Sequence, residues 1–245
     1  MALPALVLVH GGAHAGDCWD LTVDEIHRLE PELTVLAVDL PGRRDKPGDL
    51  WTLTIADWVD SVVADIEDAG LNDVVVVGHS MAGLTVPGVV TKLGTPRVRE
   101  LILAAACVPA EGTSMLDTLT GVVAMIARRN ARKGAPSSLP PVVPRLVFFN
   151  GASRTRWKFI AGRLCPDSSR IPAERVFRPG LPDEVPRTWV KTLRDRTNPA
   201  EEQDKCIVAI GGVQTVVSID TGHGLMVSEP ERLAEKLVER CRLYS

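Results

Sequence analysis

The sequence predicts an α/β architecture: a mainly parallel central sheet with helices on both faces, and a small helical lid inserted into it. Three observations carry this. Short apolar runs such as Leu6–Val9, Val74–Val77 and Leu101–Ala106 lack the alternation of a half-exposed strand and read as strands buried on both faces. Segments with apolar residues at helical spacing alternate with these runs, which is the order that builds a parallel sheet. The rhythm then fails from Val108 to about Val185, where prolines recur at 136, 140, 141, 144, 166, 172, 179 and 182. That stretch is too structured for a linker and too irregular for the sheet.

Taken in order, a strand from Ala5 ends at His10-Gly11-Gly12, and a helix is expected from about Trp19 to Glu30. Leu33 to Leu40 is a second strand, closed by Pro41-Gly42, and the charged stretch Arg43 to Asp49 reads as an exposed loop. Thr54 and Asp57 form a capping box with aspartate in place of glutamate. The following helix has Ile55, Trp58, Val59, Val62, Val63 and Ile66 on one face and stops at Gly70. The four valines 74–77 run into Gly78-His79-Ser80-Met81-Ala82-Gly83, from which a helix is expected to start at the serine and reach Leu93. Inside the irregular stretch, helices are expected at Leu116–Arg129 and Ser153–Leu164. The α/β pattern resumes with a strand at Thr188–Leu193, a helix near Pro199–Ile210 and a strand at Thr215–Ile219. Ser228-Glu229-Pro230-Glu231 combines a capping box with a helix-start proline, and the last helix turns Leu233, Leu237 and Val238 inward.

A chain of 245 residues is long enough for one large core carrying one insertion, which divides it into a core of residues 1–107 and 186–245 and a lid of residues 108–185. Hydrophobic residues at 45% and charged residues at 24% suit a soluble globular protein, and a net charge of −3 gives no pull toward nucleic acid or acidic membranes. The five cysteines are scattered with no Cys-x-x-Cys, so neither a disulfide framework nor a metal site is expected and a reducing cytoplasm fits. The N-terminus enters a strand directly, without a basic region or long apolar run, so no signal peptide or membrane span is expected.

Chemistry concentrates at the ends of the predicted strands. A serine between a buried strand and a helix, with small residues Gly78 and Ala82 two positions either side, is held in a strained turn with its hydroxyl exposed above the sheet. A serine hydroxyl becomes a nucleophile only with a base beside it and an acid to orient that base. Of five histidines, His223 is presented by a loop, between Gly222 and Gly224, after the last strand. His27 sits mid-helix, and His79 is expected to point away from the Ser80 hydroxyl. Asp195 falls just past the preceding strand, with Asp204, Asp220, Asp117 and Glu111 as rivals. An oxyanion needs backbone donors, for which Met81 after the serine and Gly12 after the first strand are the candidates. The Gly11-Gly12 loop lacks both a Gly-x-Gly-x-x-Gly pattern and a Walker lysine, so no nucleotide cofactor is expected.

With these pieces placed, the chain resembles the α/β-hydrolase superfamily over nearly its whole length. It looks most like the small esterases that include plant methylesterases and hydroxynitrile lyases and their bacterial relatives. The matching segments are Leu8-Val9-His10-Gly11-Gly12 with His14 and Trp19, Val38-Asp39-Leu40-Pro41-Gly42, Val77 to Gly83, Arg194-Asp195-Arg196 with Pro199, Asp220-Thr221-Gly222-His223, and Ser228-Glu229-Pro230. The resemblance implies a lid between the sixth and seventh strands of the family's sheet, and oxyanion donors at Gly12 and Met81. Ala82 departs from the usual elbow glycine, and the lid sequence matches poorly. The lyases usually carry a threonine after the first histidine and a lysine near the catalytic one; here Gly11 and Gly224-Leu225-Met226 stand there.

The resulting expectation is a cofactor-free serine hydrolase of carboxylic esters, acting on a small molecule with an apolar portion through Ser80, His223 and Asp195. Lyase or other non-hydrolytic chemistry on the same scaffold is the runner-up, and a hydrolase-fold ligand receptor is a third reading. In the lid, Leu116, Leu119, Val122, Val123, Met125 and Ile126 form one apolar face, followed by Phe148, Phe149 and Trp157, which either pack the lid or line a pocket. Arg128, Arg129, Arg132 and Lys133 read as a solvated cluster at that helix's C-terminus.

Overall fold

The computed structural model describes residues 2–136 and 138–245; Met1 and Ser137, assigned above to core and lid, lie outside them. Among the described residues one sheet of six strands is formed: β1 (Ala5–Val9), β2 (Val35–Val38), β3 (Val74–His79), β4 (Val98–Ala104), β5 (Arg187–Thr192) and β6 (Thr215–Ile219). Their order across the sheet is β2-β1-β3-β4-β5-β6, and every pairing is parallel. All six carboxyl ends therefore emerge along one edge, where open parallel sheets place their ligands.

The strands sort their residues between two cores by simple alternation. Val7, Val9, Val74, Val76, Leu101, Leu103 and Trp189 face one side, against α2 (Ile55–Asp68), α3 (Val86–Leu93) and α8 (Ala200–Ala209). Leu6, Leu8, Val75, Val77, Ile102 and Ile219 face the other, against α1 (Asp20–Leu29) and α10 (Pro230–Cys241). The Thr54–Asp57 capping box forms as expected: Asp57 N–H donates to Thr54 Oγ1 at 3.2 Å and Thr54 N–H to Asp57 Oδ2 at 2.8 Å. Among the described residues, no helix is long and apolar enough to cross a membrane.

Between β4 and β5 the chain makes α4 (Met115–Thr118), α5 (Gly121–Lys133), α6 (Val142–Val147), α7 (Arg154–Ala161) and a short 3₁₀ turn, Ile171–Ala173. The single helix expected over 116–129 is two. Leu119 is extended and Gly121 takes φ +62°, so the helical phase restarts there. In consequence Val122 and Met125 turn to solvent, while Leu119, Val123 and Ile126 turn inward. The capping box expected at Ser228 does not form either. A four-residue helix, α9 (Leu225–Ser228), runs almost directly into α10, so Glu229 occupies the cap position; Pro230 does start α10.

Candidate active site

Each candidate residue lies just past a strand: Gly12 after β1, Ser80 and Met81 after β3, Asp195 after β5 and His223 after β6. Ser80 opens a 3₁₀ segment, Ser80–Leu84, rather than an α-helix, and its φ of +53° is strained for a residue with a side chain. Close packing enforces this turn. A side chain at Gly78 would press into Val86, one at Gly83 into the Cys107 carbonyl, and one at Gly11 to 2.7 Å from Ser80 Cβ. The Cys107 N–H donates to the Ser80 carbonyl at 2.8 Å, tying the elbow to the end of β4.

Ser80 Oγ lies 2.7 Å from His223 Nε2, and His223 Nδ1 lies 2.6 Å from Asp195 Oδ2. All three are buried. A carboxylate opposite Nδ1 holds the ring proton there, leaving Nε2 to accept from the serine hydroxyl. Asp195 is held by three further donors: Thr197 N–H at 2.7 Å, Asn198 N–H at 2.8 Å, and Thr192 Oγ1 at 2.9 Å. Its neighbour Arg194 pairs with Asp220 instead. The rival acids are engaged elsewhere: Asp204 with Lys191, Glu111 with Arg178, and Asp117 in a capping box with Ser114.

Several participants escape sequence reasoning. His79 is buried, and its Nε2–H donates to the His223 carbonyl at 3.0 Å, steadying the loop that carries His223. His14 Nδ1–H donates to the Gly12 carbonyl at 2.6 Å, and His10 Nδ1–H to the Gly11 carbonyl at 2.8 Å. Burial pushes the His14 imidazole down to about 4 and holds His10 and His79 well below the usual range, so all three are neutral at pH 7. Gln203 on α8 is fully buried and donates to the carbonyls of Thr192 and Asn198, bracing the acid loop. Arg43, expected in an exposed loop, is fully buried. Its guanidinium pairs with Asp167, donates through Nε to the His14 carbonyl at 3.1 Å, and lies 5.6 Å from the Trp58 ring.

The recess over Ser80 measures about 50 Å³ and is lined by Gly12, His14, Met81, Met115, Val123 and Phe148 besides the serine and His223. Gly12, Met115, Val123 and Phe148 also border a second cavity of about 110 Å³, closed by Leu119, Ile126, Leu139 and Asp167. Phe148 thus lines the recess, its ring 5.5 Å from that of His223, while Phe149 is buried and packs on Trp157. Among the described residues no cluster of three or more His, Cys, Asp or Glu is placed to hold a metal. The five cysteines are free, and burial pushes the thiols of Cys107 and Cys241 up to about 12.

The profile of the Alpha/beta hydrolase family matches residues 6–236. A carbendazim hydrolyzing esterase of Nocardioides sp. is 28% identical, over 94% of this chain and 97% of that protein. Methylesterase 18 of Arabidopsis thaliana is 24% identical over 95% of each. Among solved structures, an extracellular alpha/beta-hydrolase from a Paenibacillus species superposes with a TM-score of 0.83 at 20% identity, covering 96% of this chain and 98% of that one, a likeness of fold.

Proposed function

The chain belongs to the alpha/beta hydrolase family, and on that premise we propose that it is a cofactor-free serine hydrolase that cleaves carboxylic esters through an acyl-enzyme. Ser80 Oγ attacks the ester carbonyl as His223 Nε2 takes the hydroxyl proton. Asp195 holds the imidazole in the productive tautomer and balances the imidazolium. The carbonyl oxygen gains the negative charge, which the N–H groups of Gly12 and Met81 receive. As the C–O bond breaks, His223 returns its proton to the leaving alcohol. Water then loses a proton to His223 and attacks the acyl carbon; the bond to Ser80 Oγ breaks as His223 returns that proton to it, which frees the acid and restores Ser80.

The observation that carries this reading is the unbroken chain of short hydrogen bonds from Ser80 through His223 to Asp195. The esterase relatives give it its substrate class. We read residues 108–185 as a lid over a core of 1–107 and 186–245, supported by the lining that Met115, Leu119, Val123 and Phe148 supply. That mostly apolar lining suits a small-molecule ester with an apolar portion. The five free cysteines favour a cytoplasmic setting, although one structural neighbour is extracellular. The test is Ser80→Ala against a simple aryl ester: turnover should vanish while the circular dichroism spectrum stays unchanged. Full activity in that variant defeats the proposal.

A further inference from the structure

The loop that would supply the oxyanion donor contains two consecutive glycines, Gly11 and Gly12, so its backbone has little direction of its own. External groups supply it. The Gly12–Ala13 peptide is gripped on both sides: His14 Nδ1–H donates to its carbonyl at 2.6 Å, and its N–H donates to Asp167 Oδ2 at 2.7 Å. The Ala13 carbonyl accepts from Cys165 N–H at 3.1 Å, and the His14 carbonyl from Arg43 Nε at 3.1 Å. Ala13 sits at φ +60°, a conformation that a non-glycine residue keeps only under restraint. Arg43 in turn pairs with Asp167 and is walled in by Trp58 of α2. A fully buried guanidinium of this kind gives little net stability, because an apolar side chain of similar size would serve as well. Its NH1 even lacks a hydrogen-bond partner.

We propose that Arg43 and Asp167 are positioning residues: by holding the Gly12–Ala13 peptide they fix the backbone rotation at Gly12 and so aim its N–H, on the preceding peptide, at the developing oxyanion, and the segment carrying Cys165 and Asp167 thereby sets the catalytic competence of the loop after β1. Asp167 acts directly, as the acceptor for Ala13 N–H; Arg43 acts through Asp167 and the His14 carbonyl. The inference rests on the role proposed for Gly12.

Two double variants, each free of buried charge, isolate the contact. Arg43→Met/Asp167→Leu removes the acceptor for Ala13 N–H, whereas Arg43→Met/Asp167→Asn keeps one in the side-chain amide oxygen. With a short aryl acetate, which leaves the larger cavity empty, the leucine variant should lose roughly 100-fold in kcat, the scale of one misplaced oxyanion donor, at nearly constant KM. Its inhibition by an aryl trifluoromethyl ketone, whose adduct with serine carries the same oxyanion, should weaken in step. The asparagine variant should recover at least tenfold of the lost kcat, at the scale of one such donor. If leucine does not fold, Asp167→Ala in the same background carries the same comparison. Equal kcat in the two folded doubles, or a loss confined to KM, overturns the proposal. Turnover by Ser80→Ala would instead defeat the hydrolase reading, so the two failures are distinct.

Discussion

Replacing Asp195 by asparagine tests the proposed triad at its acid, whose side chain is fully buried. Asparagine has two ways to sit in the site. If its oxygen faces His223, its amide nitrogen faces the N–H groups of Thr197 and Asn198, which donate to Asp195 Oδ1 at 2.7 and 2.8 Å. Two buried donors would then lose their acceptor, at about 1–3 kcal/mol each. If the oxygen instead keeps those two donors, the amide nitrogen faces His223 Nδ1 and the Thr192 hydroxyl, and only the latter must turn, at about 1 kcal/mol. The second arrangement wins by a few kcal/mol on that scale. The amide then donates to Nδ1, the ring proton moves to Nε2, and Nε2 can no longer accept from Ser80. The expected loss is about 10⁴-fold in kcat, or roughly 5 kcal/mol of barrier. Stability should fall by only about 1–2 kcal/mol. Steady-state hydrolysis of an aryl ester, with a urea melt of the same preparation, reads both quantities. A kcat within about tenfold of the parent, in a folded variant, would refute the argument, because a merely structural carboxylate tolerates the amide.

Acid should weaken the fold before most carboxylates titrate. His14 lies at about 4 in the folded protein against 6.5 as its ordinary value, so the unfolded chain binds the extra proton as pH falls between those values. Its stabilising contribution is complete above 6.5, declines below it and is gone near 4; 6.5 − 4 = 2.5 pH units amounts to roughly 3 kcal/mol. Urea midpoints from pH 7.5 to 4 should show this slope, and His14→Gln should make it shallower, the remainder coming from the buried His10 and His79; a flat profile in the parent would count against a neutral, buried His14. At the other end of the site, Val123→Phe narrows both the recess and the adjoining cavity. It should raise KM for bulky apolar esters by about tenfold while leaving acetate esters little changed, and equal effects on both would remove Val123 from the binding wall.

The sheet and the meeting of Ser80, His223 and Asp195, the proposed triad, are legible in the sequence for a common reason. A parallel α/β order sends every strand's carboxyl end to one edge, so residues just after strands are candidates to meet wherever they stand in the chain. Val74 to Val77, with a serine following, marks the centre of that edge, and His223 between two glycines marks its far side. Gly224 can be explained only in three dimensions: a side chain there would collide with the buried Phe149 ring, 75 positions earlier in the chain. Arg43 is illegible for a similar reason. It sits in a run of charges that looks fully solvated, and its partner Asp167 is 124 residues away. The outward turn of Val122 and Met125 follows from the break at Leu119 to Gly121, where extended backbone and then a positive φ interrupt the helical phase carried over from Leu116. A glycine next to a threonine inside an apolar run is the signal that would have placed the break.

β4 contributes no group to the proposed triad, yet it explains how the loops beside it stay aligned. β4 lies between the strand of the serine and the strand of the acid. Beyond its end, Cys107 N–H holds the Ser80 carbonyl, and the Ala106 carbonyl accepts from Asn198 Nδ2 at 2.8 Å, next to Asp195. Ala104, Ala105 and Ala106 are all buried. The His79 bond to the His223 carbonyl closes the circuit from the other side. Backbone and buried amide groups thus fix the distances among Ser80, His223 and Asp195, and the ordering is completed during folding. Residues 105–108 are also where the chain leaves the sheet for the segment that lines the recess. The end of β4 therefore meets the elbow through Cys107 and the Asp195 loop through Ala106, and leads directly into the segment that lines the recess.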